Sequence, residues 1–225
     1  MTERSLDTVL LDVDGTLIDS TYQHAVAWHR AFAKHDVLIP MWRLHRAIGM
    51  GGDQLVPTVA GDDVEARLGE ALREAEKEEY DKLLPEVRAF DRADALIAEL
   101  HRRGWLVALA SSGQQEHTRA AIDLLGGEDP LAGWTSSQDA ETSKPAPDIL
   151  LAALEQVGGH SAVCVGDSTY DVEAAAAAGW SCIGVRTGGF GVAELNEAGA
   201  VRVFEDAADL LDHLDDTPLG KPSRR

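Results

Sequence analysis

Basic residues are scarce in this sequence. Its 20 lysines and arginines stand against 39 aspartates and glutamates, which gives a formal net charge of −19. Because the phosphate backbone of a nucleic acid is bound by clustered lysine and arginine side chains, this balance argues against a nucleic-acid partner. The same negative field repels small phosphorylated ligands, so a site for such a ligand would need local cations.

Cysteines and long apolar segments are also few. Cys164 and Cys182 are the only two cysteines, and each lies in an apolar run, so we expect reduced core residues and no disulfide or zinc site. No apolar run approaches the roughly 20 residues that a membrane-spanning helix needs. The opening residues, MTERSLDTVLLDVDG, lack the basic and apolar regions of a secretory signal. We therefore expect a cytoplasmic protein without a membrane partner.

Short apolar runs alternate with helical patterns along most of the chain. Strands are predicted at Thr8–Val13, Leu106–Ser111, Gly133–Ser136, Ala162–Gly166, Cys182–Val185 and Val201–Phe204. Three predicted helices, each followed by a glycine, are Asp94–Arg103, Asp148–Val157 and Asp171–Ala178. This alternation predicts an α/β fold with a doubly wound parallel sheet covered by helices.

Residues 19–87 interrupt the alternation. They contain only helical patterns, which we place at Thr21–His35, Met41–Ile48 and Asp63–Leu84. The last of these is highly charged and carries only a narrow apolar stripe, as is typical of a solvent-facing helix. We therefore predict a core made of residues 1–18 and 88–225, and an inserted helical cap over residues 19–87.

Two aspartates follow the first predicted strand. Asp12 and Asp14 lie in LLDVDGTLID, at the carboxyl end of the strand, where parallel α/β sheets bind their ligands. Carboxylates at positions i and i+2 of a strand point to the same side, repel each other and favour a cation between them. An oxygen-rich ligand set suits Mg²⁺. The alternative is a pair of loop acids that cap the turn at Gly15.

Hydroxyl groups and one lysine follow later segments of the chain. Ser111 and Ser112 end the strand-like run VALASSG, where they can offer a hydroxyl group and a backbone N–H to a phosphate, or can serve only as caps. Lys144 is one of five lysines and lies beside prolines 145 and 147, which stiffen its segment. Its alternative reading is an ordinary surface lysine in a loop.

A second pair of aspartates follows the strand predicted at Ala162–Gly166. Asp167 can complete a metal site with Asp12 and the backbone at Asp14. Asp171 can orient metal-bound water or Lys144, or can simply favour the N-terminus of the next helix. Each cluster alone is a weak signal. Four of them at the carboxyl ends of predicted parallel strands together predict one site.

These four motifs resemble those of the haloacid dehalogenase superfamily. DVDGT at 12–16, Ser111 after its strand, SKPAPD at 143–148 and GDSTYD at 166–171 run in the order of that superfamily. The helical insertion resembles a type C1 cap, and DSTYQHAVAW at 19–28 resembles the cap entry of the β-phosphoglucomutase and phosphoglycolate phosphatase branch. The resemblance implies a Rossmann-like core, an α-helical cap and a phosphoric monoester hydrolase.

The resemblance also implies roles for individual residues. Asp12 would attack phosphorus to form an aspartyl-phosphate, and Asp14 would protonate the leaving alcohol and later deprotonate water. Ser111 and Lys144 would be catalytic with them. The phosphate- or substrate-binding residues would be Ser111, Ser112, Gly113, Lys144 and His24. The ligands of Mg²⁺ would be Asp12, Asp14 and Asp167, supported by Asp171.

Three functions fit this resemblance. The presence of Asp14 favours phosphoryl transfer over dehalogenation, since a leaving halide needs no proton. A phosphatase acting on a small-molecule phosphate ester is favoured over a hexose-phosphate mutase, because AIGMGGDQLV at 47–56 lacks the basic residue of the mutases. Arg43 or Arg46 could replace that residue. The third function is non-catalytic binding on the same fold, against which the four retained motifs argue.

Some residues keep two readings at this stage. His24 and Trp28 are four apart and share one helix face, which suits either substrate contact or packing between cap and core. Arg186 is a possible loop contact, although a structural role suits it better. The acidic surface is compatible with a monomer or a weak homodimer.

Overall fold

A computed structural model describes residues 6–222, which fold around one six-stranded parallel sheet. The strands are β1 Thr8–Leu11, β2 Leu106–Ala110, β3 Gly133–Thr135, β4 Ala162–Gly166, β5 Ser181–Val185 and β6 Arg202–Phe204. Their order in the sheet is β3-β2-β1-β4-β5-β6, and all five neighbouring pairs are parallel. The predicted doubly wound α/β sheet is confirmed, and every strand overlaps a predicted run, with ends that differ by at most two residues.

Ten α-helices are present within residues 6–222. Four follow β1 directly: α1 Thr21–Lys34, α2 Met41–Ala47, α3 Gly52–Ala60 and α4 Asp62–Leu83. The other six cover the sheet: α5 Ala93–Arg103, α6 Gln115–Leu124, α7 Asp148–Gln156, α8 Thr169–Ala177, α9 Val192–Ala198 and α10 Ala207–Asp212. None of these helices combines the length and apolar composition that crossing a membrane requires.

The sheet is buried on both faces because successive side chains of each strand point in opposite directions. Val9 and Leu11 of β1 pack with apolar residues of α5, α6 and α10, whereas Leu10 packs with those of α7, α8 and α9. Cys164 and Cys182 are free and buried in the second of these clusters, as predicted. This arrangement leaves the carboxyl ends of the strands open to a third group of elements.

The four helices after β1 form that third group and have an apolar cluster of their own. Trp28 and Phe32 of α1 pack there against buried residues of α2, α3 and α4. The sequence analysis missed α3, because the helix begins at the second of two consecutive glycines and contains Pro57, and both residue types are poor helix formers. The expectation of helices without strands holds for this segment, in which only isolated bridges occur.

Helix α4 is not simply a solvent-facing helix, and that prediction was wrong for two glutamates. Glu76 and Glu79 are only 7% and 6% exposed. Each is paired, as a buried carboxylate must be: Glu76 with His24, and Glu79 with Lys34 at 2.8 Å. Although its sequence is highly charged, α4 therefore has a buried face with ion pairs, and this face packs against α1.

The four-helix group lies over the loops at the carboxyl ends of the strands. Its two connections to the sheet run side by side, with the Asp19 N–H donating to the Arg88 carbonyl over 2.8 Å. His45 lies 3.0 Å from the carbonyl oxygen of Gly188, and Arg46 forms an ion pair with Glu194. These contacts enclose a space between the helices and the sheet.

Candidate active site

Lys144 lies at the centre of a buried charged cluster. Its ammonium nitrogen is 2.5 Å from Oδ1 of Asp12 and 2.7 Å from Oδ1 of Asp171. The side chain is only 1% exposed, so Lys144 is not the surface lysine that the sequence left open. An ammonium group buried at this depth needs counter-charges, and these two carboxylates supply them.

Asp12 directly follows β1, and its Oδ2 atom lies near Thr16. The Thr16 hydroxyl lies 3.1 Å from Oδ2 of Asp12 and 2.9 Å from Oδ1 of Asp167, so it links the two aspartates. Asp12 is 9% exposed and Asp167 is 2% exposed. Strands β1 and β4 are neighbours in the sheet, so the loops that follow them place these two carboxylates side by side.

Asp171 has two structural roles. Its Oδ2 accepts hydrogen bonds from the backbone N–H and the hydroxyl group of Ser168, which closes the N-terminus of α8. Its Oδ1 faces Lys144. The two readings of Asp171, helix cap and partner of Lys144, are thus both realised.

Burial and crowding control the ionisation of this cluster. Burial raises the pKa of Asp12 to about 6, an effect that Lys144 opposes and Asp171 reinforces. Burial also raises the pKa of Asp167 well above its usual range, with further increases from Asp12 and Asp171. The charges of Asp12 and Asp171 raise the pKa of Lys144, although burial opposes them, so the ammonium group stays charged.

The donor set fits a divalent cation that prefers oxygen ligands. Asp12, Asp167 and Asp171 are buried and present carboxylate oxygens within 4.8 Å of one another. Burial, together with the mutual repulsion of these carboxylates, raises the pKa values of Asp12 and Asp167, and a bound cation would relieve both effects. Asp14 was predicted to join this set through its backbone, and its carboxylate makes separate contacts.

The carboxylate of Asp14 faces α1. The Ser20 hydroxyl donates to Oδ1 of Asp14 over 2.6 Å, and Nε2 of His24 lies 3.2 Å from the same oxygen. The other His24 nitrogen lies 2.9 Å from Glu76, and its ring stacks on Tyr80 at 3.8 Å. His24 thus links the carboxylate of Asp14, in the loop after β1, to a buried glutamate of α4.

The charge of His24 keeps Asp14 ionised. Burial alone would raise the pKa of Asp14, but the charge and hydrogen bond of His24 lower it below its usual value. For His24 the opposite holds: burial lowers the pKa, but Asp14 and Glu76 raise it to about 10. Asp12 and Asp14 are therefore near neighbours in sequence with different electrostatic environments.

The loop after β2 completes the wall beside Asp14. The Gly113 N–H donates to the buried hydroxyl of Ser111 over 3.0 Å. A Cβ atom on Gly113 would lie 3.4 Å from Oδ2 of Asp14, which shows how closely this loop approaches the carboxylate. Ser112 and Gly113 line the same cavity as Asp12, Asp14 and His24.

The sequence analysis missed several residues that contact the aspartates of this site. Thr16 lies inside the DVDGT motif and could have been included, whereas Ser20 and Glu76 carry no local signal. Gly188 was not predicted as a site residue either. A Cβ atom on Gly188 would lie 1.7 Å from Oδ2 of Asp167, so only glycine fits there without a shift. The β5 loop therefore presses its backbone directly against Asp167, and Thr187 donates to the Gly15 carbonyl over 2.5 Å.

A small cavity of about 80 Å³ lies over Asp12 and Asp14. Trp28 lines this cavity and also packs in the apolar cluster of the four helices, and substrate contact by Trp28 stays a prediction. Arg186 instead pairs with Glu205 at 2.5 Å. Arg46 packs over Phe190 and pairs with Glu194, and Arg43 is exposed; neither lines this cavity.

Comparison with known proteins gives one family match and many relatives. Residues 6–179 match the haloacid dehalogenase-like hydrolases. A phosphoglycolate phosphatase from Yersinia pestis is 30% identical over 197 residues, which cover 82% of this chain and 83% of that protein. A validoxylamine A 7'-phosphate phosphatase from Streptomyces hygroscopicus subsp. limoneus is 27% identical over 184 residues, covering 79% and 84%.

A solved structure of a hydrolase has a similar fold. The crystal structure of a hydrolase from Pseudomonas syringae superimposes with a TM-score of 0.88. The two sequences are 31% identical, and the match covers 93% of this chain and 98% of the other. Sheet, covering helices and the four-helix insertion are therefore shared over nearly the whole length of both molecules.

Proposed function

The chain belongs to the haloacid dehalogenase-like hydrolases, and from this membership and the geometry of its site we propose a magnesium-dependent phosphatase that acts through a phosphoryl group on Asp12. The enzyme is a phosphoric monoester hydrolase of that family. Its substrate is a small phosphorylated metabolite. Residues 1–18 and 88–225 form the catalytic core, of which residues 1–5 and 223–225 lie outside the described part, and residues 19–87 form the cap.

One observation carries this proposal. Asp12 and Asp14 line one cavity but have separate partners: Lys144 and Thr16 for Asp12, His24 and Ser20 for Asp14. Two carboxylates in different environments can take different roles in one reaction, one as a nucleophile and the other as an acid and base.

Asp12 attacks the phosphorus atom in the first half-reaction. The oxygen–phosphorus bond to the alcohol breaks as the bond to the Asp12 carboxylate forms, which gives an aspartyl-phosphate. Lys144 keeps Asp12 ionised and neutralises charge that develops on the phosphoryl oxygens. The N–H groups and hydroxyls at Ser111 and Ser112 bind the same oxygens.

Asp14 moves the protons. A phosphate dianion arriving beside Asp14 favours its protonated form, so the carboxyl group takes a proton as substrate binds and donates it to the leaving alcohol. The ionised Asp14 then removes a proton from the water that attacks the aspartyl-phosphate. His24 and Ser20 orient this carboxylate throughout.

Asp12 and Asp167 would hold the magnesium ion together with the backbone at Asp14, and Asp171 would support this set from beside Lys144. When bound, Mg²⁺ reduces the repulsion between these carboxylates and the anionic substrate. The four cap helices exclude water from the space above the site, and they must move to admit substrate.

Phosphate release tests this function. A panel of phosphorylated metabolites is incubated with the enzyme, with magnesium and with a chelator, and free phosphate is measured. Magnesium-dependent release from a narrow set supports the phosphatase. Conversion of β-glucose 1-phosphate to glucose 6-phosphate without net phosphate release would instead support a mutase. No reaction in either assay would support a non-catalytic binding protein.

A further inference from the structure

A second cavity shares part of its wall with the catalytic cavity. Its volume is about 260 Å³, compared with about 80 Å³ for the space over Asp12 and Asp14. The shared residues are Trp28, Gly52, Glu76, Ser112 and Gln114. For a phosphate ester with its phosphorus at Asp12, this adjoining space offers room for a sizeable leaving group.

Both the cap and the core supply charges to the second cavity. Its wall contains three carboxylates, those of Asp53, Glu76 and Glu141, and one cationic side chain, Arg73. Nη1 of Arg73 lies 2.9 and 3.0 Å from the two carboxylate oxygens of Glu65. Since Glu65 lies outside this wall, Arg73 already has a counter-charge and adds little attraction for a second anion.

Within residues 6–222, two of the three carboxylates, those of Asp53 and Glu141, have no cationic partner. Glu76 is paired with His24. Asp53 accepts hydrogen bonds from the backbone N–H of Ser143 and the side chain of Gln54, at 3.2 and 3.0 Å, and both donors are neutral. Glu141 is exposed at the edge of the cavity. The space beside the phosphate site is thus acidic.

The rest of the wall is polar but uncharged, with one aromatic side. Ser112, Ser137, Ser143 and Gln114 present hydroxyl and amide groups, which can donate to and accept from alcohols. Trp28 is only 6% exposed and packs against Phe32, so its indole ring forms a fixed flat surface. Such a surface suits the apolar face of a hydroxylated ring.

We propose that the substrate is a phosphate monoester of a neutral or amine-bearing polyol and that the cavity selects against a second anionic group. This inference rests on the proposed phosphatase function. A carboxylate or second phosphate in the cavity would be repelled by Asp53 and Glu141 and would lose its hydration without gaining an unpaired cation. An ammonium group would meet the opposite sign of charge.

The test uses three sugar phosphates of similar size. Glucosamine 6-phosphate, glucose 6-phosphate and 6-phosphogluconate carry a cationic, neutral and anionic leaving group, respectively, and kcat/KM is measured for each. The first two should exceed 6-phosphogluconate by about ten-fold or more. In the double variant D53N/E141Q this ratio should fall by about three-fold or more, because two negative charges are removed. In the control variant Glu74→Gln, on the exposed side of α4, the ratio should stay unchanged.

Preference for 6-phosphogluconate that disappears in Arg73→Gln would overturn the proposal, since Arg73 would then be an anion-binding residue. Calorimetry with the Asp12→Asn variant separates this inference from the proposed function. If no substrate releases phosphate, the phosphatase function fails. Tighter binding of glucosamine 6-phosphate than of 6-phosphogluconate still supports the cavity's selectivity, and the reverse order contradicts it.

Discussion

Asp171 lies 2.7 Å from the ammonium nitrogen of Lys144 while its other carboxylate oxygen closes the N-terminus of α8. The helix therefore fixes the position of the aspartate, and the aspartate fixes the position of the lysine. Since the same ammonium group lies 2.5 Å from Asp12, the start of α8 controls the surroundings of the proposed nucleophile.

Asp171→Asn should lower kcat by about 10- to 100-fold, as is typical when the support of a reactive group is lost. The amide cannot accept from Ser168 with one atom and supply a negative charge to Lys144 with the other. Steady-state phosphate release is the measurement. Glu173→Gln, an exposed change on the same helix, is the control and should retain normal kcat. Full activity in D171N would show that Asp171 is only a helix cap.

His24→Ala should lower kcat by about 100-fold, within the range for general acid–base catalysis. Asp14 loses both the hydrogen bond and the positive charge that keep it oriented and ionised. His101→Ala, an exposed histidine on α5, is the control. The role of His24 would be refuted by equal kcat values for the two variants.

Much of this site could be predicted from the sequence because its members are local to strand ends. Asp12, Ser111, Lys144 and Asp167 each follow a strand or precede a helix in a short motif, and the parallel sheet brings those positions to one edge. The strand pattern was equally clear, since buried parallel strands are continuous apolar runs.

The remaining parts depend on contacts between segments distant in sequence. Glu76 lies in a charged run whose composition predicts exposure to solvent, and it contacts His24 only because α4 packs on α1. Asp53 meets Ser143 across the boundary between the four helices and the core. Helix α3 was missed because glycine and proline are poor helix formers, although tertiary packing here overrides that preference.

Gly188→Ala should raise the magnesium concentration needed for half-maximal activity by about ten-fold or more. The new methyl group would lie 1.7 Å from Oδ2 of Asp167, so either the carboxylate or the loop must move. Gly191→Ala, in the same loop region, is the control, because its Cβ would meet only Glu194 at 3.2 Å. Identical magnesium titration curves for both variants would rule out this packing requirement.

Glu79→Gln should destabilise the protein near neutral pH by about 1 kcal/mol or less, because its partners Lys34 and Lys82 are themselves exposed to water and such ion pairs contribute little. Hydrogen bonds from Lys34 and Lys82 lower the pKa of Glu79 to about 2. Because the folded-state pKa lies below the unfolded value, the stabilisation is complete above about pH 4.5 and is lost as the pH falls toward 2. Urea unfolding of both proteins at several pH values should show a difference that shrinks on acidification; a difference independent of pH would contradict the ion-pair explanation.

Identification of a phosphoryl group on Asp12 tests the central claim most directly. The Asp14→Asn variant lacks both the acid for the leaving alcohol and the base that activates water, so with magnesium and p-nitrophenyl phosphate, whose leaving group needs no proton, it should accumulate the aspartyl-phosphate. Acid quenching, proteolysis and mass spectrometry should then locate a phosphoryl adduct on the peptide containing Asp12, and the adduct should be absent in Asp12→Asn. An Asp14→Asn enzyme that still releases phosphate without any adduct, or an Asp12→Asn enzyme with near-normal turnover, would contradict covalent catalysis by Asp12.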